Sequence, residues 1–386
     1  MVRQRIRIAS TANRVPQYAL FHAQCIVAPT ILVAPCAFKG TLGPREVTEA
    51  LSAGIRRALP EAALLQCPVS DGGDGLLEAV LPPEALRERV QVTGPLGMPV
   101  AGDLGWLDHE TAIFESATAC GIALLRPNEL DPLRTTTRGV GELIWEAVER
   151  GATTVVVGLG GSATVDGGAG AGRGLGWTLL DGHGEPLEEG GGPLAQLADV
   201  NRGWALDAQV IALHDVSTPL IGSDGAAPVF GPQKGAGPAA LRLLERGLER
   251  LAEVMARHGR PELATLPGSG AAGGLGAGLA FFAKAQLTPG AEWLLSRVGF
   301  DAALARADFV VTGEGSFDRT SLVGKASGEV MRRAQAARKK VAVVAGTVAG
   351  LIGVHAVDGE GKVLDVAGIA ALGERVTREA FGLPPA

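Results

Sequence analysis

The chain has 386 residues, 56 of them glycine, with 46% apolar content and a formal net charge of −6. That length allows about two or three domains, and that apolar fraction supports a full core. Basic residues form no run beyond pairs such as Arg56-Arg57 and Lys339-Lys340, which argues against nucleic acid or an anionic membrane as partner.

Four cysteines stand at 25, 36, 67 and 120 with no C-x-x-C pair. Neither zinc nor a disulfide framework follows from that spacing, and a reduced, cytoplasmic setting fits. The six histidines form no H-E-x-x-H, so a histidine metal site is not expected. No apolar run reaches the ~18 residues that a spanning helix needs.

Residues 1–30 differ from the rest. They carry Arg3, Arg5, Arg7 and Arg14, and no acid precedes Glu46. His22, Gln24 and Pro29 interrupt the apolar part, which makes a poor secretory core. A disordered extension, or a start codon assigned too far upstream, is the expectation.

Ile31–Ala34 reads as a first buried strand, followed by the turn P-C-A-F-K-G-T-L-G. From Pro44 to Leu59, apolar residues at 47, 51, 55 and 59 mark one helical face. Lys39 sits between that strand and helix, at the end of a sheet where ligands bind. A second strand near Ala63–Gln66 runs into P-V-S-D-G-G-D-G, which places Asp71 and Asp74 around a Gly-Gly turn. Such pairs are ordinary turn chemistry, and also a way to hold Mg²⁺ through water.

The pattern changes near residue 90. Arg89–Thr93, Val100–Leu107 and Thr111–Glu115 read as short strands of an antiparallel or mixed sheet. Thr135-Thr136-Thr137 then precede a helix, most simply as an N-cap. Val155-Val156-Val157 opens the central stretch, where nine of the nineteen residues from Gly158 to Gly176 are glycine and Asp166 is the only acid. Backbone this bare suits an anion approached by amide groups, so the stretch is expected to floor a phosphate site. Close backbone packing is the plainer reading for some of these glycines.

Val210–Leu213 is a further strand, with Asp215 at its end. Lys234 follows between glycines, Leu241–Met255 is an amphipathic helix, and Pro267–Gly278 is a second glycine-dense patch. The last third is again βαβ in character. Asp308–Thr312 leads into a loop with Glu314, Asp318 and Lys325, and Val341–Ala345 is another strand. Ile31–Ala34 is the expected parallel neighbour of these strands. The reading is an α/β protein in three parts: an extension at 1–30, a discontinuous parallel-sheet domain of Rossmann or flavodoxin-like type at 31–90 plus 290–386, and an inserted mixed-sheet α/β domain at 91–289.

Loops at strand ends share glycine, Ser/Thr, Asp/Glu and a single lysine. That set fits phosphoryl transfer, where positioning and charge stabilisation do most of the work. No G-x-x-x-x-G-K-[ST] and no protein-kinase motif occurs. One rival fingerprint exists: Gly158-x-Gly160-x-x-Ala163 follows a strand, with Asp181 ending the next. It suits a dinucleotide, but G-G-A-G-A-G-R-G-L-G is a poor helix and the fingerprint requires one there.

Six motifs together resemble the bacterial glycerate kinases of glycerate and glyoxylate metabolism: A-P-C-A-F-K-G-T-L, P-V-S-D-G-G-D-G, G-L-G-G-S-A-T-V-D-G-G-A-G, D-V-S-T-P-L-I-G, V-F-G-P-Q-K-G-A, and V-V-T-G-E-G-S-F-D with V-G-K-A. The resemblance runs from about Ile31 to Leu372. It implies ATP-dependent, Mg²⁺-assisted phosphorylation of D-glycerate at the 2- or 3-hydroxyl, in a cleft between the two domains of a cytoplasmic monomer or homodimer. One departure stands out. The family's first loop usually reads A-P-D-S-F-K-G, and Cys36 and Ala37 replace its Asp and Ser here. Asp71 is a candidate to replace the lost carboxylate.

On that resemblance, Gly160, Gly161, Ser162, Gly167 and Gly168 would face the ATP phosphates, with Asp166, Lys234 and Glu314 in the nucleotide site. Mg²⁺ would be held by some of Asp71, Asp74, Asp166 and Asp215. Asp318 or Asp215 would take the proton from the attacking hydroxyl, and Lys39, Lys234 or Lys325 would neutralise the moving phosphoryl group or the substrate carboxylate. A dehydrogenase built on the Gly158 loop, or a non-catalytic nucleotide or sugar-acid sensor, are the alternatives.

Overall fold

The protein is described by a computed structural model covering residues 28–38, 40–322, 324–349, 355–362 and 364–385. The N-terminal extension expected at 1–30 lies almost wholly outside the described residues, and so does Lys39.

In chain order the first elements are β1 (Thr30–Val33), α1 (Pro44–Ala58), β2 (Ala63–Gln66) and α2 (Leu76–Val80). The second group begins with β3 (Arg87–Thr93), β4 (Pro99–Trp106), β5 (Thr111–Glu115), α3 (Ala117–Cys120), α4 (Arg138–Glu149), β6 (Thr154–Gly158) and α5 (Ala169–Gly174). It continues with β7 (Thr178–Leu180), β8 (Asp199–Asn201), β9 (Gln209–His214), α6 (Ala226–Phe230), α7 (Pro238–Arg257), α8 (Ala271–Phe282) and β10 (Gln286–Pro289). The chain closes with α9 (Gly290–Arg297), α10 (Phe300–Arg306), β11 (Phe309–Phe317), α11 (Ala326–Ala336), β12 (Lys340–Val348), β13 (His355–Asp358) and α12 (Val366–Phe381).

Two main sheets result. The first has the order β13-β12-β11-β1-β2, and every pair in it is parallel. β1 lies between β2 and β11 in the register Ile31↔Phe309 and Ile31↔Leu64. A central strand is covered on both faces, which is why Ile31-Leu32-Val33 reads as an unbroken apolar run. The chain leaves this sheet after β2 and returns to it at β11, so its domain is discontinuous.

The second sheet has the order β10-β9-β6-β5-β4-β3, drawn entirely from residues 87–289. Four of its strands run parallel, and β4 is antiparallel to both β3 and β5. The mixed character expected from the tight turns is therefore present. β7 and β8 form a separate two-stranded sheet.

Each half builds its own core. In the first, Val47, Leu51 and Ile55 of α1 pack with Ile369, Leu372 and Val376 of α12 over Ile31 and Val33. A third cluster joins the halves, with Leu32, Val69 and Val310 meeting Ile113, Val156 and Leu213. Full burial of each such side chain contributes roughly 1.5–3 kcal/mol. This seam brings the carboxyl ends of both sheets to one cleft.

Two expectations change. Thr137 does not cap its own helix; its hydroxyl donates to Asp166 and accepts from the Ala171 amide. The stretch dismissed as a poor helix forms α5. Its glycines let neighbours come close: a Cβ on Gly172 would lie 2.8 Å from the Phe282 ring, and one on Gly170 2.2 Å from Thr136 Oγ1. Packing supplies what propensity lacks.

Candidate active site

The turn after β2 is the wedge of the site. Ser70-Asp71-Gly72-Gly73-Asp74 passes over the ends of β6 and β9. A Cβ on Gly158 would meet the Gly72 carbonyl at 2.4 Å, and one on Gly72 would meet Leu213 Cβ at 3.0 Å. Asp71 is 8% exposed, and its Oδ1 accepts from the Gly73 amide at 3.3 Å. The Gly72 amide donates to Ser70 Oγ at 3.2 Å.

Opposite this turn, β11 delivers Glu314. Its carboxylate is 3.1 Å from Lys325 Nζ and also accepts from the Ser327 hydroxyl. Lys325 donates weakly to Ser321 Oγ at 3.4 Å and stands directly before α11. Cys36, Asp71, Asp74, Glu314 and Lys325 line one pocket of about 290 Å³, together with Ser70. Residues far apart in sequence, and singled out there separately, are thus brought together.

Asp215 follows β9. A Cβ on Gly324, beside Lys325, would lie 2.9 Å from the Asp215 carbonyl oxygen, so the two loops touch across the cleft. Asp318 is held differently. Its Oδ1 accepts from the Thr320 hydroxyl at 2.6 Å and the Thr320 amide at 2.7 Å. These bonds hold the carboxyl below its ordinary range, which makes it a poorer proton acceptor.

The glycine loop divides into two parts. Gly160 and Gly161 lie against the wedge, where added Cβ atoms would be 2.9 Å from Gly73 Cα and 2.8 Å from Asp74 Oδ1. Gly161 is solvent-exposed and Gly160 partly so, with the Gly160 amide donating weakly to Ser116 Oγ at 3.5 Å and the Gly161 carbonyl accepting from the Ile122 amide.

Gly167 and Gly168 do not share that role. The Gly167 amide donates to the Gly273 carbonyl and the Gly168 amide to Asp166 Oδ1. Their positive φ values of 62° and 74° serve a tight turn against Leu251 and Gly278. With both donors spent internally, neither is left for a phosphate.

Asp166 must also be reassigned. It is fully buried and accepts from the Thr137 amide (2.9 Å), the Thr137 hydroxyl (2.8 Å) and the amides of Gly168 and Gly170 (3.1 Å each). Burial pushes its carboxyl up, and these bonds oppose that rise. It ties the start of α4 to the start of α5 through bonds made inside the fold.

Lys234 is likewise inside, 3% exposed. Its ammonium bonds Ser162 Oγ at 2.8 Å and the Thr164 carbonyl at 2.6 Å, and burial lowers its pKa to about 8. It acts on the shape of the loop through Ser162, itself buried at 4% exposure.

One residue was not singled out from sequence. Glu115, at the end of β5, accepts from the Leu77 amide at 3.0 Å, and burial raises its pKa to about 7. Its position at a strand end beside β6 was the available signal.

The dinucleotide fingerprint fails on topology. Its acid must end a strand beside β6, whose neighbours are β5 and β9. Asp181 follows β7 in the separate two-stranded sheet.

Fold and cleft define a two-domain α/β enzyme with carboxylates, a buried-edge lysine and open glycine backbone at the carboxyl ends of parallel strands. The sequence model of the glycerate kinase family matches residues 31–372, and the chain belongs to that family. The glycerate 2-kinase of Escherichia coli K12 is 39% identical over 343 residues, covering 86% of this chain and 90% of that protein. The glycerate kinase of Halalkalibacterium halodurans is 38% identical over 328 residues, 83% and 86% of the two chains. The crystal structure of a glycerate kinase 2 from Salmonella typhimurium LT2 superposes with a TM-score of 0.75 at 35% identity, covering 92% of this chain and 99% of that one.

Proposed function

We propose that this cleft transfers the γ-phosphoryl group of ATP to the 2-hydroxyl of D-glycerate. The carrying observation is the meeting of the Glu314–Lys325 pair with the Asp71–Asp74 turn in one pocket, lined by the segments after β1 and β2 and by β11. The choice of the 2-hydroxyl follows the name of the Escherichia coli relative.

Among the described residues no group of three or more His, Cys, Asp or Glu could by itself hold a metal. Mg²⁺ binds through one or two carboxylates and completes its shell with phosphates and water. Asp71 and Asp74 are the residues to hold it. Once bound, it would neutralise charge on the phosphates.

The protein's own groups do the rest. Gly160 and Gly161 present backbone to the phosphate oxygens. Lys325, oriented by Glu314, neutralises the phosphoryl group in flight, and Lys39 is retained for the same role or for the substrate carboxylate. Asp215 or Asp318 takes the hydroxyl proton, and the Asp318 carboxyl also accepts from the Thr320 amide and hydroxyl. The cleft lies between the body that carries the five-stranded parallel sheet and the body built from residues 87–289, so the boundary expected near 90 moves ahead of β3. A cytoplasmic monomer or homodimer is the accompanying reading. No helix of the described residues is long and apolar enough to cross a membrane.

The test is ATP consumption with D-glycerate and Mg²⁺, with phosphorus NMR of the product. A 2-phosphoglycerate signal is expected. A 3-phosphoglycerate signal would overturn the regiochemistry, and ATP bound without turnover would favour the sensor.

A further inference from the structure

The amino ends of β9 and β10 carry a second hollow, at the far end of the sheet from the cleft. It measures about 680 Å³, within the size range of small-molecule sites. Gln209 and Gln286, the first residues of the two strands, lie on its wall.

Its chemistry is one-sided. Trp177, Trp204 and Phe281 supply aromatic surface, and Arg202, His258, Arg260 and Lys284 supply positive or titratable groups. No acidic side chain is on the wall, in a chain whose net charge is −6. Two of the basic groups are already matched outside it, His258 by Asp199 at 2.9 Å and Arg260 by Glu262 at 2.5 Å. Arg202 and Lys284 pair with no acid among the described residues. Lys284 also holds a left-handed φ of 54°, which a bulky residue adopts only at a cost.

The aromatic part is preformed. Trp204 packs against Trp145 with ring centroids 4.6 Å apart and planes tilted by 50°, and covers the backbone of Gly176, yet it stays 56% exposed. Trp177 is fixed by its indole N–H on the Phe282 carbonyl at 3.2 Å and by the Phe281 ring at 5.6 Å. An exposed, immobilised tryptophan beside two unmatched cations offers a ring platform and an anion clamp together.

We propose that this hollow is a second ligand site, which takes a planar aromatic anion with its ring against Trp204 and Trp177 and its charged group between Arg202 and Lys284. Two unmatched cations suit a phosphate monoester, so a nucleoside monophosphate is the best charge match; an aromatic carboxylate shares the same chemistry. Glycerate and its phosphates have no ring to stack and belong to the other cleft.

The test is a tryptophan-fluorescence titration of the full chain with adenosine 5′-monophosphate and, separately, benzoate, neither of which emits in the tryptophan band. Saturable quenching is expected, and the Trp204→Phe protein should lose most of it. Arg202→Ala and Lys284→Ala, singly, should each weaken binding by about tenfold, the scale of a lost charge-assisted contact. Quenching by the nucleotide alone identifies phosphate as the anion, and quenching by both shows that any ring-borne anion suffices. Two results overturn the proposal. One is no saturable quenching by either compound. The other is nucleotide quenching unchanged in both alanine variants, which would place the nucleotide in the reaction cleft instead.

Discussion

Lys325 Nζ lies 3.1 Å from a Glu314 carboxylate oxygen, and that carboxylate also receives the Ser327 hydroxyl. The pair is formed between a residue inside β11, which runs on past the expected loop to Phe317, and the start of α11, with Glu314 only 9% exposed. A charge held this way is preorganised for a developing negative centre and costs little reorganisation when one appears.

Lys325→Ala should therefore lower turnover by ~10²–10³, the scale of a lost transition-state contact. Lys325→Arg should restore part of it. Steady-state rates with D-glycerate and ATP check this, beside thermal unfolding to exclude a folding defect. Near-normal turnover in the alanine variant would remove Lys325 from the reaction.

The two candidate bases carry different expectations. Asp215→Asn should lose ~10²-fold or more in turnover, within the usual contribution of a general base. Asp318→Asn should lose far less, because its carboxylate serves the Thr320 turn. The reverse order would restore Asp318 as the proton acceptor.

Asp166→Ala should act on stability. It leaves the Thr137, Gly168 and Gly170 donors unpaired inside the protein, a loss of about 3–5 kcal/mol by analogy with broken buried charged networks. Urea unfolding measures it. A variant of ordinary stability with a raised Mg²⁺ requirement would return Asp166 to the metal site.

Glu115 makes a pH prediction. Its folded-state pKa is raised from 4.5 to about 7, so the folded form binds the proton more tightly than the unfolded chain. The favourable contribution is complete below pH ~4.5 and is lost as pH rises through ~7. Relative to Glu115→Gln, the parent should lose up to about 3 kcal/mol across that window, at 1.36 kcal/mol per pKa unit. A stability difference that stays flat with pH would contradict the burial of this carboxyl.

Cys36 shares its pocket with Asp71, Asp74 and Glu314. Cys36→Asp adds a carboxylate beside three others. It should change the dependence of rate on Mg²⁺ and D-glycerate concentration while leaving the fold intact. Unchanged dependence on both would show that the family aspartate has no work to do at this position.

Much of the architecture is local and was legible in the sequence. Ile31-Leu32-Val33 and Val155-Val156-Val157 are strands because continuous β-branched and apolar runs suit the doubly covered centre of a parallel sheet. The four-residue step from Val47 to Ile55 is α1 for an equally local reason. Asp71, Asp74, Asp215, Glu314 and Lys325 were marked because loops at strand ends are where such sheets place ligands. β13, four residues at a sheet edge, carries little pattern of its own, whereas α12 keeps helical spacing at Ile369, Leu372 and Val376 and was legible but not read.

What the glycine stretch does was settled only by tertiary structure. Glycine density announces that backbone comes close to something, and does not say to what. Gly160 and Gly161 meet the Asp71–Asp74 turn, whereas Gly167 and Gly168 spend their amides on Gly273 and Asp166. The same holds for the charged residues. Whether an aspartate or a lysine faces a cleft or a core depends on which distant elements close around it. Asp166 and Lys234 are interior because α4, α5 and the Ser162–Thr164 loop supply every partner they need. Such long-range pairing leaves no local trace, and so the residue types were evident in the chain while their roles awaited the fold.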